Sequence, residues 1–375
     1  MTEANLFVQL CAPGIAALTP YVPGKPISEL ERELGISGSV KLASNENPLG
    51  PSPLAVQAAA AQLGELARYP DGGGFELRQA LARFHRLAPE AITLGNGSND
   101  VLDLIARTFL APGAQAVFSQ HAFAVYSICT QAVGATARVA PAQDGSRGPR
   151  YGHDLEAMQA LVGKDTRVVF IANPNNPTGT WLPREQLYAF LQAMPVHLVV
   201  VVDEAYFEYV AEAAYPDASR WLAEFPNLIV TRTFSKAYGL AALRVGYSLS
   251  HPDIAALLNR VRQPFNVNSI ALAAARAALD DSEHLREVVR RNHEGMAMLE
   301  SGLRELGLEW IPSVGNFLCV DLGRPAAAAD NQLLRLGCIT RPVANYGLPD
   351  HLRITVGLEH ENRRLLGALG EVRGT

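Results

Sequence analysis

Lys236 stands among groups that suit it for covalent chemistry. In the run Thr233-Phe-Ser-Lys-Ala-Tyr-Gly-Leu-Ala-Ala-Leu-Arg244 it follows an apolar stretch, with two hydroxyls just before it and an arginine just after. A lysine attacks a carbonyl only as the neutral amine, so it needs a setting that disfavours its charge, such as a half-buried site beside another cation. Arg244 can be that cation, and its planar fork can also grip a phosphate, while Thr233 and Ser235 offer hydroxyl donors. An amine beside an anion cup suits a molecule with both an aldehyde and a phosphate, which describes pyridoxal 5′-phosphate. Taken alone, the run fits a solvated turn with a surface lysine equally well.

Other segments carry complementary chemistry. Gly95-Asn-Gly-Ser-Asn-Asp100 joins an apolar strand to a helical stretch, so Ser98, Asn99 and backbone N–H groups at a helix start are available to an anion; the plain alternative is an ordinary helix cap. Asn173-Pro-Asn-Asn-Pro-Thr-Gly179 presents the amide of Asn176, which can donate to a phenolic oxygen, though a β-turn uses the same residue types. In Val202-Asp-Glu-Ala-Tyr206, Asp203 ends a very apolar strand, where an unpaired carboxylate is costly. A protonated pyridine nitrogen is a fitting partner, since an anion beside it keeps the ring cationic and electron-withdrawing. Tyr206 can share the phenolic side with Asn176. An acid there can also cap a helix or bind Mg²⁺, but no phosphate-binding G-x4-G-K-[ST] run accompanies it. Phe123 and Tyr126 follow the neighbouring strand, and one of their rings can lie against a flat ligand; core packing is the alternative. Arg353, in His351-Leu-Arg-Ile-Thr-Val-Gly357, is a lone arginine in an apolar strand, so it pairs with an acid or awaits an anion. Arg341 is a second candidate. His121 has no evident metal partner and reads as a loop histidine.

These residues need a frame, and the chain supplies one. Prolines at 13, 20, 23 and 26 punctuate residues 1–44, which read as an arm lying over another surface. Helices are expected at 53–66 and 75–84. Short apolar strands follow at 91–94, 116–119, 136–139, 167–172, 198–202, 228–231 and 244–249, alternating with helical stretches. Such alternation predicts a mainly parallel seven-stranded sheet covered on both faces, with ligands at the carboxyl ends of its strands. Beyond Pro264 a long charged helical region and strands at 316–321 and 351–356 predict a smaller α+β domain. The expected division is 1–44 as the arm, contributing to the small domain, 45–263 as the large ligand-binding domain, and 264–375 as the small domain.

Composition narrows the class. A chain of 375 residues, 48% of them apolar, is long for one core. Its net charge of −5 and the lack of a basic stripe with interleaved aromatics argue against a nucleic-acid partner. Cys11, Cys129, Cys319 and Cys338 are scattered without CxxC pairing, which suggests reduced thiols and neither disulfides nor a zinc site. No secretory signal and no apolar stretch of the ~20 residues needed for a membrane helix is evident, so a soluble cytoplasmic protein is expected.

Taken in order, Gly-Ser-Asn, Asn-Pro-Asn-Asn-Pro-Thr-Gly, Asp-Glu-Ala-Tyr, Ser-Lys, Arg and Leu-Arg-Ile-Thr-Val-Gly resemble the fold-type-I aminotransferases that use pyridoxal 5′-phosphate. More narrowly they resemble the histidinol-phosphate aminotransferases, a likeness that includes Leu42-Ala-Ser-Asn-Glu-Asn-Pro-Leu-Gly50 and Arg68-Tyr-Pro-Asp71. The resemblance implies that Lys236 is the Schiff-base lysine, that Asp203 meets the pyridine nitrogen, and that Asn176 and Tyr206 hold the ring oxygen. It implies a phosphate cup of Ser98, Asn99, Thr233, Ser235 and Arg244, with Tyr69 supplied by the other subunit of a homodimer that the arm 1–44 also contacts. Phe123 takes the stacking position, often tyrosine in the family. Arg353 would take the substrate anion, with Arg341, Asn47 and Tyr21 as further substrate-side candidates. The reaction implied is transamination between L-histidinol phosphate and 2-oxoglutarate, without a metal. An aromatic amino acid aminotransferase, a decarboxylase on the same frame and a non-enzymatic cofactor-binding regulator are the rivals.

Overall fold

The computed structural model describes residues 6–21 and 23–373. The arm runs through short helical turns to a two-residue strand, Val40–Lys41 (β1). The large sheet follows, built from Ile92–Gly95 (β2), Gln115–Ser119 (β3), Thr136–Ala140 (β4), Thr166–Ala172 (β5), Val199–Asp203 (β6), Leu228–Thr233 (β7) and Gly246–Ser250 (β8). These are the seven expected strands, each within two residues of its predicted ends. Their order is β2-β8-β7-β6-β5-β3-β4. Every residue of β6 is buried, as its run of four valines requires when helices cover both faces.

The sheet is parallel except for β8, which runs against both its neighbours. That reversal matters for the site. Gly246, the first residue of β8, pairs with Gly95 at the end of β2 and with Thr233 at the end of β7. Arg244, just before it, is therefore level with the carboxyl ends of the parallel strands.

The second sheet comprises Glu309–Ile311 (β9), Phe317–Asp321 (β10), Arg341–Val343 (β12) and Leu348–Thr355 (β13), antiparallel in the order β12-β13-β10-β9. Between them Cys338–Ile339 (β11) pairs with β1, which ties the arm to this sheet. Helices Ser282–Glu305, Ala326–Arg335 and Glu359–Arg373 cover it, and Leu299, Leu318, Leu333, Leu352 and Leu365 share its core with Val40 and Leu42 of the arm.

Helix Ser269–Ala278 departs from the expected division at residue 264. Its Ala271, Ala274, Ala275 and Ala278 are buried in the same cluster as Ala55, Leu77 and Leu81 of the large domain. Small side chains on one face let this helix lie close against the helices Pro53–Ala61 and Phe75–His85. Composition alone placed it with the charged helix that follows.

Beside the ligand-facing end of β6, a buried ionic group braces the sheet. Glu204 accepts from Arg232 Nε at 2.9 Å and Nη2 at 2.7 Å, and Nη2 also reaches Asp217 at 2.8 Å. The guanidinium carbon lies 3.5 Å from the centre of the Phe207 ring. Burial pushes the Glu204 carboxyl up, and Arg232 pulls it back. Replacing Arg232 with methionine keeps the volume but strands the carboxylate, a change that costs about 3–5 kcal/mol in such settings. The Arg232→Met protein should unfold at markedly lower urea, with a smaller deficit at pH 6 than at pH 8 because protonation neutralises Glu204. An equal deficit at both pH values would rule out the stranded charge as its cause.

Candidate active site

The carboxyl ends of β2, β3, β5, β6 and β7 and the amino end of β8 open on one cavity of about 200 Å³. Thirteen of the residues singled out by the sequence bear on this region. Ser98, Asn99, Phe123, Asn176, Asp203, Tyr206, Thr233, Ser235, Lys236, Arg244, Arg353 and Tyr21 line the cavity itself. Arg341 lies one layer out, its guanidinium carbon 5.5 Å from the centre of the Tyr21 ring, in an adjoining hollow that shares Tyr21 and Phe123. Tyr69 lies outside, 83% exposed and stacked on Phe265 at 4.7 Å.

At one end donors converge. The helix Ser98–Phe109 starts here, and Gly97 before it has φ +84, open to glycine at little cost. A Cβ on Gly97 would sit 2.3 Å from Arg244 Nη2, and one on Gly246 would sit 2.4 Å from the Ser98 nitrogen. Both glycines thus let the guanidinium and the helix start approach each other. Arg244 itself is left-handed, φ 56, and its Nη1 donates to Ser235 Oγ at 3.2 Å and to the Ala241 carbonyl at 3.0 Å. The Ser235 nitrogen donates to Thr233 Oγ1 at 3.0 Å.

Elsewhere in the cavity lies the acid. Asp203 ends β6 and is buried, which raises its pKa; donors on both oxygens oppose that rise, Tyr126 to Oδ2 at 2.8 Å and Thr231 to Oδ1 at 2.9 Å. Tyr206 accepts from Asn45 Nδ2 at 2.9 Å, so its own proton is free for another acceptor. Burial pushes the Tyr206 hydroxyl up to about 12.

Lys236 Nζ donates to the Ser44 carbonyl at 2.9 Å. Burial, then the positive charges of Arg353, Arg244 and Lys41, bring its pKa down to about 7, with Glu46 pulling the other way. Arg353 projects from β13 and is buried; its Nη1 donates to Asn176 Oδ1 and its Nη2 to the Ala43 carbonyl, both at 2.6 Å, while Nε has no partner. The groups fit pyridoxal 5′-phosphate: donors and a cation for its phosphate, an amine that loses its proton near neutral pH for its aldehyde, and an acid for its ring nitrogen.

One expectation fails on position. Asn47 does not line the cavity: its Nδ2 donates to the carbonyls of Gly50 and Ala237, and its Oδ1 accepts from Leu49 nitrogen, so the side chain is spent on bracing backbone. Asn45 occupies the place foreseen for it, because its own left-handed backbone, φ 54, turns the side chain toward Tyr206. Asn45 and Asn47 belong to one short run, and nothing in residue type distinguishes them. Ser44 acts through its carbonyl, which no sequence pattern marks. Thr231 and the hydroxyl of Tyr126 were also missed as partners of Asp203, although the acid's burial already required donors.

Residues 37–369 match the family model described as aminotransferase class I and II. The chain is 61% identical over 368 residues to histidinol-phosphate aminotransferase 2 of Pseudomonas fluorescens, covering 98% of each. It is 60% identical over 363 residues to the protein of the same name from Methylococcus capsulatus, covering 97% of this chain and 98% of that one. A crystal structure of histidinol-phosphate aminotransferase from Sinorhizobium meliloti in complex with pyridoxal-5′-phosphate superposes with a TM-score of 0.87 at 32% identity, covering 100% of this chain and 98% of that one.

The low pKa of Lys236 has a direct kinetic signature. Only the neutral amine captures an aldehyde, so the rate at which cofactor-free protein takes up pyridoxal 5′-phosphate should rise through pH 7 and level off above it. The growth of visible absorbance reports this. An ordinary lysine, near ~10.4, would keep gaining about tenfold per pH unit beyond pH 9, and that result would refute the assignment.

Proposed function

The chain belongs to the class I and II aminotransferase family, and we propose that it transfers an amino group between L-histidinol phosphate and 2-oxoglutarate in histidine biosynthesis, using pyridoxal 5′-phosphate. What carries the reading is Lys236, an amine lowered to about pH 7 in one cavity with Asp203, Arg244 and Arg353. Similarity over nearly the whole chain to relatives named for this substrate points the same way.

The bound cofactor supplies an aldehyde that takes up amines and a ring that accepts the electron pair released at the substrate carbon. Ser98, Asn99, Thr233, Ser235 and Arg244 hold its phosphate. Asp203 would hold the proton on the ring nitrogen, Asn176 and Tyr206 would donate to the ring oxygen, and Phe123 would offer the ring an aromatic face. Lys236 would hold the aldehyde through its amine and, when the substrate amine has displaced it, would be the group placed to take and return the substrate Cα proton. Arg353 receives the anion that the two amino donors share in kind, a carboxylate in glutamate and a phosphate ester in histidinol phosphate. Its terminal nitrogens bind Asn176 and the Ala43 carbonyl while the buried Nε makes no hydrogen bond, with Arg341 and Tyr21 beside it.

Tyr69 is too exposed to act within its own subunit's cavity. Leu54, Leu63, Leu66 and Phe75, near it in the chain, are exposed as well, apolar surface of the kind that a second copy of the chain would cover. In the homodimer Tyr69 reaches the partner's phosphate cup. A cytoplasmic setting agrees with four unpaired thiols, and no helix among the described residues is long and apolar enough to cross a membrane.

Lys236→Ala should abolish both the visible band of the lysine-bound cofactor and turnover; a retained band would place the cofactor elsewhere. Arg353→Ala should lower kcat/KM about a hundredfold for both amino donors while cofactor affinity holds, and equal loss of cofactor would remove the arginine from substrate binding. Mixing the inactive Lys236→Ala protein with an inactive Tyr69→Ala protein should restore activity, because one site of each mixed dimer is then intact. No recovery after subunit exchange would mean that each copy completes its own site.

A further inference from the structure

Asp203 can serve a ring nitrogen only if its carboxylate stays ionised in a place that water does not reach. Two hydroxyls make that tenable, and one of them does more. Tyr126, fully buried in the helix Ala124–Ala132, donates to Asp203 Oδ2 at 2.8 Å. Its ring lies parallel to Phe170 of β5, 4.8 Å away with 5° between the planes, which fixes its direction. Its other flank meets Phe123 at 89°, with centroids 5.9 Å apart. Thr231, paired in register with Asp203 across β6 and β7, donates to Oδ1 at 2.9 Å.

Resting on the function proposed above, we infer that Tyr126 is a positioning residue that links the two cofactor-facing side chains, holding the carboxylate of Asp203 by its hydroxyl and backing the ring of Phe123 by its edge. Thr231 is its counterpart on the other carboxylate oxygen. The physical consequence concerns the location of one proton. Between a carboxyl and a pyridine the proton rests on nitrogen when the anion is well stabilised, and on oxygen when it is not. Burial favours the neutral acid at this position, so each hydroxyl donor shifts the balance toward a protonated nitrogen. A ring without that proton withdraws electrons less and slows the loss of the Cα proton, while substrate anions held by Arg353 are unaffected.

The experiment uses the holoenzyme reconstituted with cofactor carrying an NMR-active ring nitrogen. In Tyr126→Phe, which keeps every ring contact and removes the hydroxyl alone, the nitrogen resonance should move toward the unprotonated value. Its kcat should fall about tenfold, the worth of one hydrogen bond to a charged group, with KM for both donors within about twofold. Thr231→Val should move the resonance in the same direction, and Thr231→Ser should leave it where the unaltered protein has it. The threonine pair decides the matter if Tyr126→Phe does not fold. Should Tyr126→Phe or, in its absence, Thr231→Val keep the original resonance, the positioning role is wrong, whatever happens to rate or stability. A nitrogen already unprotonated in the unaltered holoenzyme would instead overturn the role of Asp203 on which the inference stands.

Discussion

In the proposed function the chemistry depends on a lysine that can shed its proton near neutral pH inside a cavity that must also attract anions. Those demands reinforce each other. Arg353 and Arg244, the proposed receivers of anionic groups, are also the cations that, after burial, lower the pKa of Lys236. An arginine stays charged at any relevant pH, so it can impose this pressure without yielding its own proton. Burial supplies the larger share, because an ammonium loses more hydration than an amine when both leave water. The single hydrogen bond from Nζ to the Ser44 carbonyl directs the amine without fixing its charge.

Geometry then has to bring segments far apart in the chain to one place. The parallel strands deliver their carboxyl ends to a common edge, and antiparallel β8 adds its amino end to the same edge, which is how Arg244 comes to face Ser98. The second sheet contributes Arg353, whose two terminal nitrogens bind Asn176 of the large domain and Ala43 of the arm. That arginine is therefore a structural bridge among three regions as well as the proposed anion receptor.

Sequence made much of this arrangement legible because the residues concerned are chemically conspicuous where they occur. A carboxylate ending a run of valines, an arginine alone in an apolar strand, and a lysine between hydroxyls and arginine each violate local expectation, and all three lie in the cavity. Less conspicuous contributors escaped. Asn45 and Asn47 differ only in backbone conformation, and the left-handed turn at Asn45 decides which of them meets Tyr206. Helix Ser269–Ala278 was assigned by its neighbours in the chain, whereas its alanine face packs it against Leu77 and Leu81.

What the chain's order of residues determined by itself was the alternation of strands and helices and the identity of the reactive groups, since periodicity and residue type are local properties. The direction of β8, the donors on Asp203 and the choice between two nearby asparagines came only with tertiary structure. Each of these depends on which distant segment lies alongside, and a contact between residues 126 and 203, or 45 and 206, leaves no trace in either neighbourhood.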